Sequence, residues 1–216
     1  MARKVAGVLT CALLVVLGWS ALLFGAEATP GGADGAVAPA ELAQRALREA
    51  RRFADVTYEW DGALRQGVAY LWGGRMSVDE YLDAVAAGKA PGVEAGVDAS
   101  ALVVQAYRAA DPSIRFTAVV QGERQLLPDA TSDSLYRFNI RAISVEELRP
   151  GDLIFFKSES GGVAGVAIFE RREGPNIHYI VASPNAGKVV RTFNNVHNSY
   201  WQTRFLAAGQ VLVSSR

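Results

Sequence analysis

The last third of the chain constrains the fold more than any other part. Residues 152–156, 163–170, 177–183, 188–193 and 205–213 are five short runs rich in β-branched and aromatic residues. Turn-forming stretches at 157–162, 171–176 and 184–187 separate the first four. Links this short suit an antiparallel meander, because a parallel pair needs a crossover of a dozen or more residues. Ahead of Pro150-Gly151 the pattern is helical instead. Helices first and an antiparallel sheet second is an α+β layout, with the N-terminal helices packed on the C-terminal sheet.

Three helices are predicted. From Pro39 onward, Leu42, Ala46, Leu47, Ala50, Phe53 and Ala54 fall on one stripe with Arg and Glu opposite, and Gly62 closes that region. Ser77 and Glu80 stand in the spacing of a capping box for a helix over 78–87, which Gly88 stops. Asp98 is a good N-cap for a third helix, which carries Leu102, Val103, Ala106 and Tyr107 to Asp111-Pro112. Residues 112–143 read mostly as loop, and Ser144 with Glu147 marks one short turn.

The amino end reads differently. Arg3 and Lys4 precede an apolar run over 5–26, and Ala26-Glu27-Ala28 offers a small-residue cleavage site. That order describes either a secretory leader removed after Ala28 or an uncleaved anchor. Both place the rest of the chain outside the membrane, in the periplasm or beyond the cell. Residues 29–38 are small and Gly-rich and read as a flexible spacer, which leaves 39–216 as one domain. The only cysteine, Cys11, lies within the apolar run. The exported part therefore has no disulfide, no thiolate metal site and no cysteine nucleophile. With 22 basic and 22 acidic side chains, the charge balance gives no sign of nucleic acid as a partner.

Several stretches, in order, match one family. Tyr70-Leu71-Trp72-Gly73-Gly74 resembles a Y-x-W-G-G motif, and Asp98-Ala99-Ser100-Ala101-Leu102-Val103 resembles a D-C-S-G-L-V helix start. Pro150-Gly151-Asp152-Leu153-Ile154-Phe155-Phe156 resembles P-G-D-L-V-F-F, and Gly165-Val166-Ala167-Ile168-Phe169 resembles H-V-G-I-Y. Tyr179-Ile180-Val181-Ala182-Ser183 stands where the same family has F-I-H-A-S, and Tyr200-Trp201 with Arg204-Phe205 is similar to its closing segment. The family is NlpC/P60, papain-like cysteine peptidases that cleave the cross-links and stem peptides of peptidoglycan. The resemblance runs over about residues 60–213, apart from an enlarged stretch at 75–97.

What the resemblance implies is specific. In that family a thiol at a helix start is the nucleophile, activated by the helix N-terminus, while a strand histidine is the base and a third polar group orients it. Here the matching positions are Ala99, Gly165 and Val181. None of the three can attack, take a proton or orient a ring. Loss of nucleophile or base in a comparable serine triad costs a factor on the order of 10⁶ in turnover. Ser100 adjoins Ala99, but one step along a helix turns it about 100° away. His178 is three residues from Val181, so the two side chains point to opposite faces of a strand. His197 sits in a polar loop. Two distant histidines make no zinc motif, and neither a metal nor another cofactor is expected.

The expectation is an exported, non-catalytic relative. Tyr70, Trp72, Asp98 and Ser100 are its candidate cleft residues, although Asp98 also reads as a plain N-cap and the two aromatics as core. Trp201 and Phe205 read as core. Peptidoglycan peptide or glycan is one candidate partner, and an envelope protein such as a wall hydrolase is another. A peptidase or amidase with a rearranged site, recruiting Ser100, His178 or His197, is the rival reading. The enlarged stretch is expected to cover or remodel the cleft, as loops beside a site commonly do.

Overall fold

The computed structural model describes residues 36–214. The leader or anchor and most of the expected spacer lie outside the described residues. The spacer's last residues do not: β1 (Ala36–Val37) pairs with the far end of the chain, and Ala38 is buried. Residues 36–38, which composition assigns to the spacer, are thus part of the described fold.

Helix α1 (Ala40–Asp55) buries every residue of the predicted stripe. A hairpin follows, β2 (Thr57–Trp60) and β3 (Ala63–Gln66), where the sequence suggested only a loose end. Its turn, Asp61-Gly62, has both φ angles positive, at 52° and 70°. That is the geometry an Asp-Gly pair accepts most readily. Helix α2 (Val78–Ala86) carries the predicted capping box: the Glu80 N–H donates to Ser77 Oγ and the Ser77 N–H donates to Glu80 Oε2, at 3.2 and 2.7 Å. Helix α3 (Ala99–Ala110) begins at Asp98 as predicted and packs against α1.

The region expected as loop is largely structured. It holds a hairpin, β4 (Phe116–Val120) with β5 (Glu123–Leu127), then helix α4 (Ser132–Phe138) and strand β6 (Ile140–Ile143). A 3₁₀ turn at Val145–Glu147 occupies the second capping box. The strands β7 (Leu153–Lys157), β8 (Val163–Glu173), β9 (Asn176–Ser183) and β10 (Lys188–Asn195) form the predicted meander. A short helix α5 (Ser199–Arg204) then turns the chain into β11 (Phe205–Val213). This last strand does not extend the meander. It returns to pair with β7, giving the order β1-β11-β7-β8-β9-β10 with β6 also on β11. The architecture is α+β, helices against a mainly antiparallel sheet.

Alternation along the strands splits the core into two layers. Leu153, Phe155, Val166, Ile168 and Ile180 pack under the helices. Ile154, Phe156, Ala167, Phe169, Ile177 and Tyr179 face the other way, around Trp201. Trp201 and Phe205 stack with centroids 4.8 Å apart, so both are core as predicted. The helices α1 and α3 meet the start of β7 at Gly151. Gly151 has φ +100°, and a Cβ there would lie 2.4 Å from the Ala43 carbonyl oxygen, so only glycine fits. The Tyr107 hydroxyl donates to the Gly151 carbonyl at 3.0 Å.

Candidate functional site

The start of α3 is held by backbone packed on backbone. Tyr70 pairs with Val97, and the Asp98 N–H donates to the Gly74 carbonyl at 3.0 Å. A Cβ on Gly74 would lie 2.5 Å from the Gly96 carbonyl oxygen. The second glycine of the Trp-Gly-Gly motif is therefore required for the two segments to touch. This contact sets the Tyr70–Arg75 segment against the first turn of α3.

The polar groups at that turn satisfy one another. Asp98 Oδ1 accepts the Ala101 N–H at 2.7 Å, the cap bond expected of it, and the Ser100 hydroxyl at 2.8 Å. Arg75 donates through Nη1 to Ser100 Oγ at 2.8 Å and to Asp98 Oδ1 at 3.4 Å. Its Nε lies 3.3 Å from Asp129 Oδ2. Ser100 is buried, and its oxygen both donates to a carboxylate and accepts from a guanidinium. No base touches it. Arg75 is the feature that sequence reasoning missed, because its partners lie far from it along the chain and nothing local announces them.

An open cleft of about 1010 Å³ begins here and crosses the sheet. Tyr70, Trp72, Asp98 and Ser100 all line it, so the predicted cleft residues are brought together. So are Ala99, Gly165 and Val181, contributed by α3, β8 and β9. A Cβ added to Gly165 would meet no atom within 4 Å, leaving open space where the resemblance puts the base. Trp72 is 84% exposed, which decides for cleft wall over core. Burial first, and then the Asp98 charge, pushes the Tyr70 hydroxyl up from its ordinary value. Tyr179, two residues before Val181 and so on its face, also lines the cleft. Its hydroxyl, held by Asn194, is pushed up to about 12, chiefly by burial and further by Tyr200.

The histidines are elsewhere. His178 packs its ring on Phe193, with centroids 5.2 Å apart, and its Nε2 lies 3.1 Å from Glu173 Oε2. His197 is exposed, and its N–H donates to Asn195 Oδ1. Neither lines the cleft. Among the described residues no group of three or more His, Cys, Asp or Glu could hold a metal ion, and no helix is long and apolar enough to cross a membrane.

The enlarged stretch is not the expected cover. Among the described residues only Arg75 of 75–97 lines the cleft. Helix α2 uses its apolar face in the core instead: Val78, Tyr81 and Val85 are buried, and Tyr81 meets Tyr58 edge-on at 5.2 Å. A helix whose apolar stripe is already packed has nothing left with which to close over the site.

Comparison with known proteins gives one family. The model of the NlpC/P60 family matches residues 67–210. Among solved structures, an NLP/P60 family protein from Staphylococcus aureus, described as similar to a lipoprotein, is 20% identical with a TM-score of 0.44. The match covers 84% of this chain and 45% of that one. An NlpC/P60 family protein from Bacillus cereus is 18% identical with a TM-score of 0.45, covering 83% of this chain and 42% of that one. This chain therefore spans less than half the length of either. No curated protein matches the sequence.

Proposed function

This chain belongs to the NlpC/P60 family, and we propose that it works there as an exported, non-catalytic domain that binds peptidoglycan. The observation that carries the reading is the set Ala99, Gly165 and Val181 on one open cleft. A methyl group, a hydrogen and an isopropyl group stand where the family resemblance calls for nucleophile, base and orienter. Binding asks only for shape and a few well-placed polar groups, which this cleft retains. Ser100 does not replace the thiol, since its hydroxyl is committed to Asp98 and Arg75. Export rests on the basic, apolar and small-residue order of residues 1–28.

The test measures two quantities on one sample of the purified domain. Purified sacculi are sedimented with the protein, and the supernatant is searched by mass spectrometry for muropeptides. Co-sedimentation without release is the expected result. Release that disappears in Ser100→Ala would establish a rearranged hydrolase instead. Absence from the pellet would remove peptidoglycan as the ligand.

A further inference from the structure

We infer that the cleft recognises the uncharged sugar rings of a glycan strand and not the charged ends of a peptide, an inference that rests on the binding role proposed above.

The first ground is charge. Three charged side chains line the cleft, Arg75, Asp98 and Asp133. Arg75 is held by Asp98 and Asp129, and Asp133 pairs with Arg137 at 2.8 Å. Each charge that an incoming ammonium or carboxylate group meets already has a partner, so the group must compete with that partner for it.

The second ground is the aromatic rim. Trp72 and Tyr200 are 84% and 51% exposed, and both line this cleft. Large apolar side chains gathered on one exposed concavity mark a binding surface. Beside them stand neutral polar groups: the Asn185 amide and the Thr192 hydroxyl, neither of which hydrogen-bonds to another described side chain, and the half-buried Tyr70 hydroxyl. A pyranose ring has the matching character. Its axial C–H face is apolar and packs flat on an aromatic ring, while its equatorial hydroxyl and acetamido groups exchange hydrogen bonds with amides and hydroxyls. Flat aromatics with neutral hydrogen-bonding groups and every charge internally paired describe a site for a neutral, polyhydroxylated ligand.

The experiment compares two probes by calorimetry on the purified domain: chitohexaose, which is uncharged, and a tripeptide with free amino and carboxyl ends. Sacculus sedimentation runs in parallel. The expected result is binding of chitohexaose only, with an affinity that survives a roughly tenfold rise in salt. Trp72→Ala should weaken it about tenfold or more, as loss of an aromatic anchor does. Leu64→Ala, at another highly exposed apolar residue, in the β2–β3 hairpin, should leave it unchanged. Trp72 is so exposed that its loss does not threaten the fold, and the melting temperature of the variant checks this. Binding of the tripeptide without chitohexaose overturns the inference and leaves the proposed function standing. Binding of neither probe by a protein that still sediments with sacculi does the same. Failure to sediment with sacculi removes both.

Discussion

Replacing Asp152 with Asn should stabilise the domain, and increasingly so as pH rises. Asp152 immediately precedes β7, is 4% exposed, and accepts one hydrogen bond from the Arg149 N–H at 2.8 Å. Burial raises its pKa from 3.8 to about 6, against the Arg149 hydrogen bond and the nearby Arg149 and Arg141 charges. The fold therefore prefers the protonated acid. Its contribution is fully present below the unfolded value of 3.8 and is lost as pH climbs through about 6. The whole difference corresponds to about 3 kcal/mol, roughly half of it already lost at pH 5. Between pH 5 and pH 8 the wild-type chain should thus lose about 1.5 kcal/mol that the variant keeps. Asn preserves the shape and still accepts from Arg149. Urea unfolding of both proteins at the two pH values gives the double difference, from which the other titrating groups cancel. For a domain of this size it amounts to about 3–6 °C in Tm. Stability curves that run parallel across this range would refute the reasoning, because they would mean that the carboxylate is solvated in the fold.

Three further variants probe the site and its support. Ala99→Cys should introduce a thiol that iodoacetamide alkylates, yet release no muropeptides from sacculi, because base and orienter are still missing; Gly165→His should fold with a Tm close to wild type, since a Cβ there meets no atom within 4 Å. Cleavage by the single cysteine variant would show that Gly165 and Val181 are wrongly matched to the family's base and orienter. Gly151→Ala should cost about 3 kcal/mol or more, from a left-handed backbone and a contact of 2.4 Å with the Ala43 carbonyl, and thermal melts would read the loss directly.

The legible part of this fold is the part with strong period. The stripe of α1, the capped starts of α2 and α3 and the hydrophobic runs of β7 to β11 all follow from spacing alone. The β4–β5 hairpin escaped because most of its residues outside Phe116 and Ala118 face solvent, so it shows little apolar alternation, and its Gln121-Gly122 turn is a weak marker. The β2–β3 turn was there to be read in Asp61-Gly62, a pair that favours hairpins, but the Arg-rich helix before it drew the boundary too late. At the site, motif order placed Tyr70, Trp72, Asp98 and Ser100 on one cleft, and strand parity at His178 matches a ring that lies on Phe193 outside it, whereas the helical step at Ser100 did not take that residue off the cleft. Arg75 and the exposed ring of Tyr200 needed the fold itself, since only tertiary contact brings them to the cleft.

Strand β1 has a practical bearing on how this molecule can be handled and presented. It lies at one margin of the sheet, whereas Val190, Thr192 and Asn194 of β10, at the opposite margin, belong to the cleft wall. At the usual spacing between neighbouring strands, the five steps from β1 to β10 amount to about 24 Å. A support or dye joined at Ala36 itself is therefore attached at the margin away from that wall.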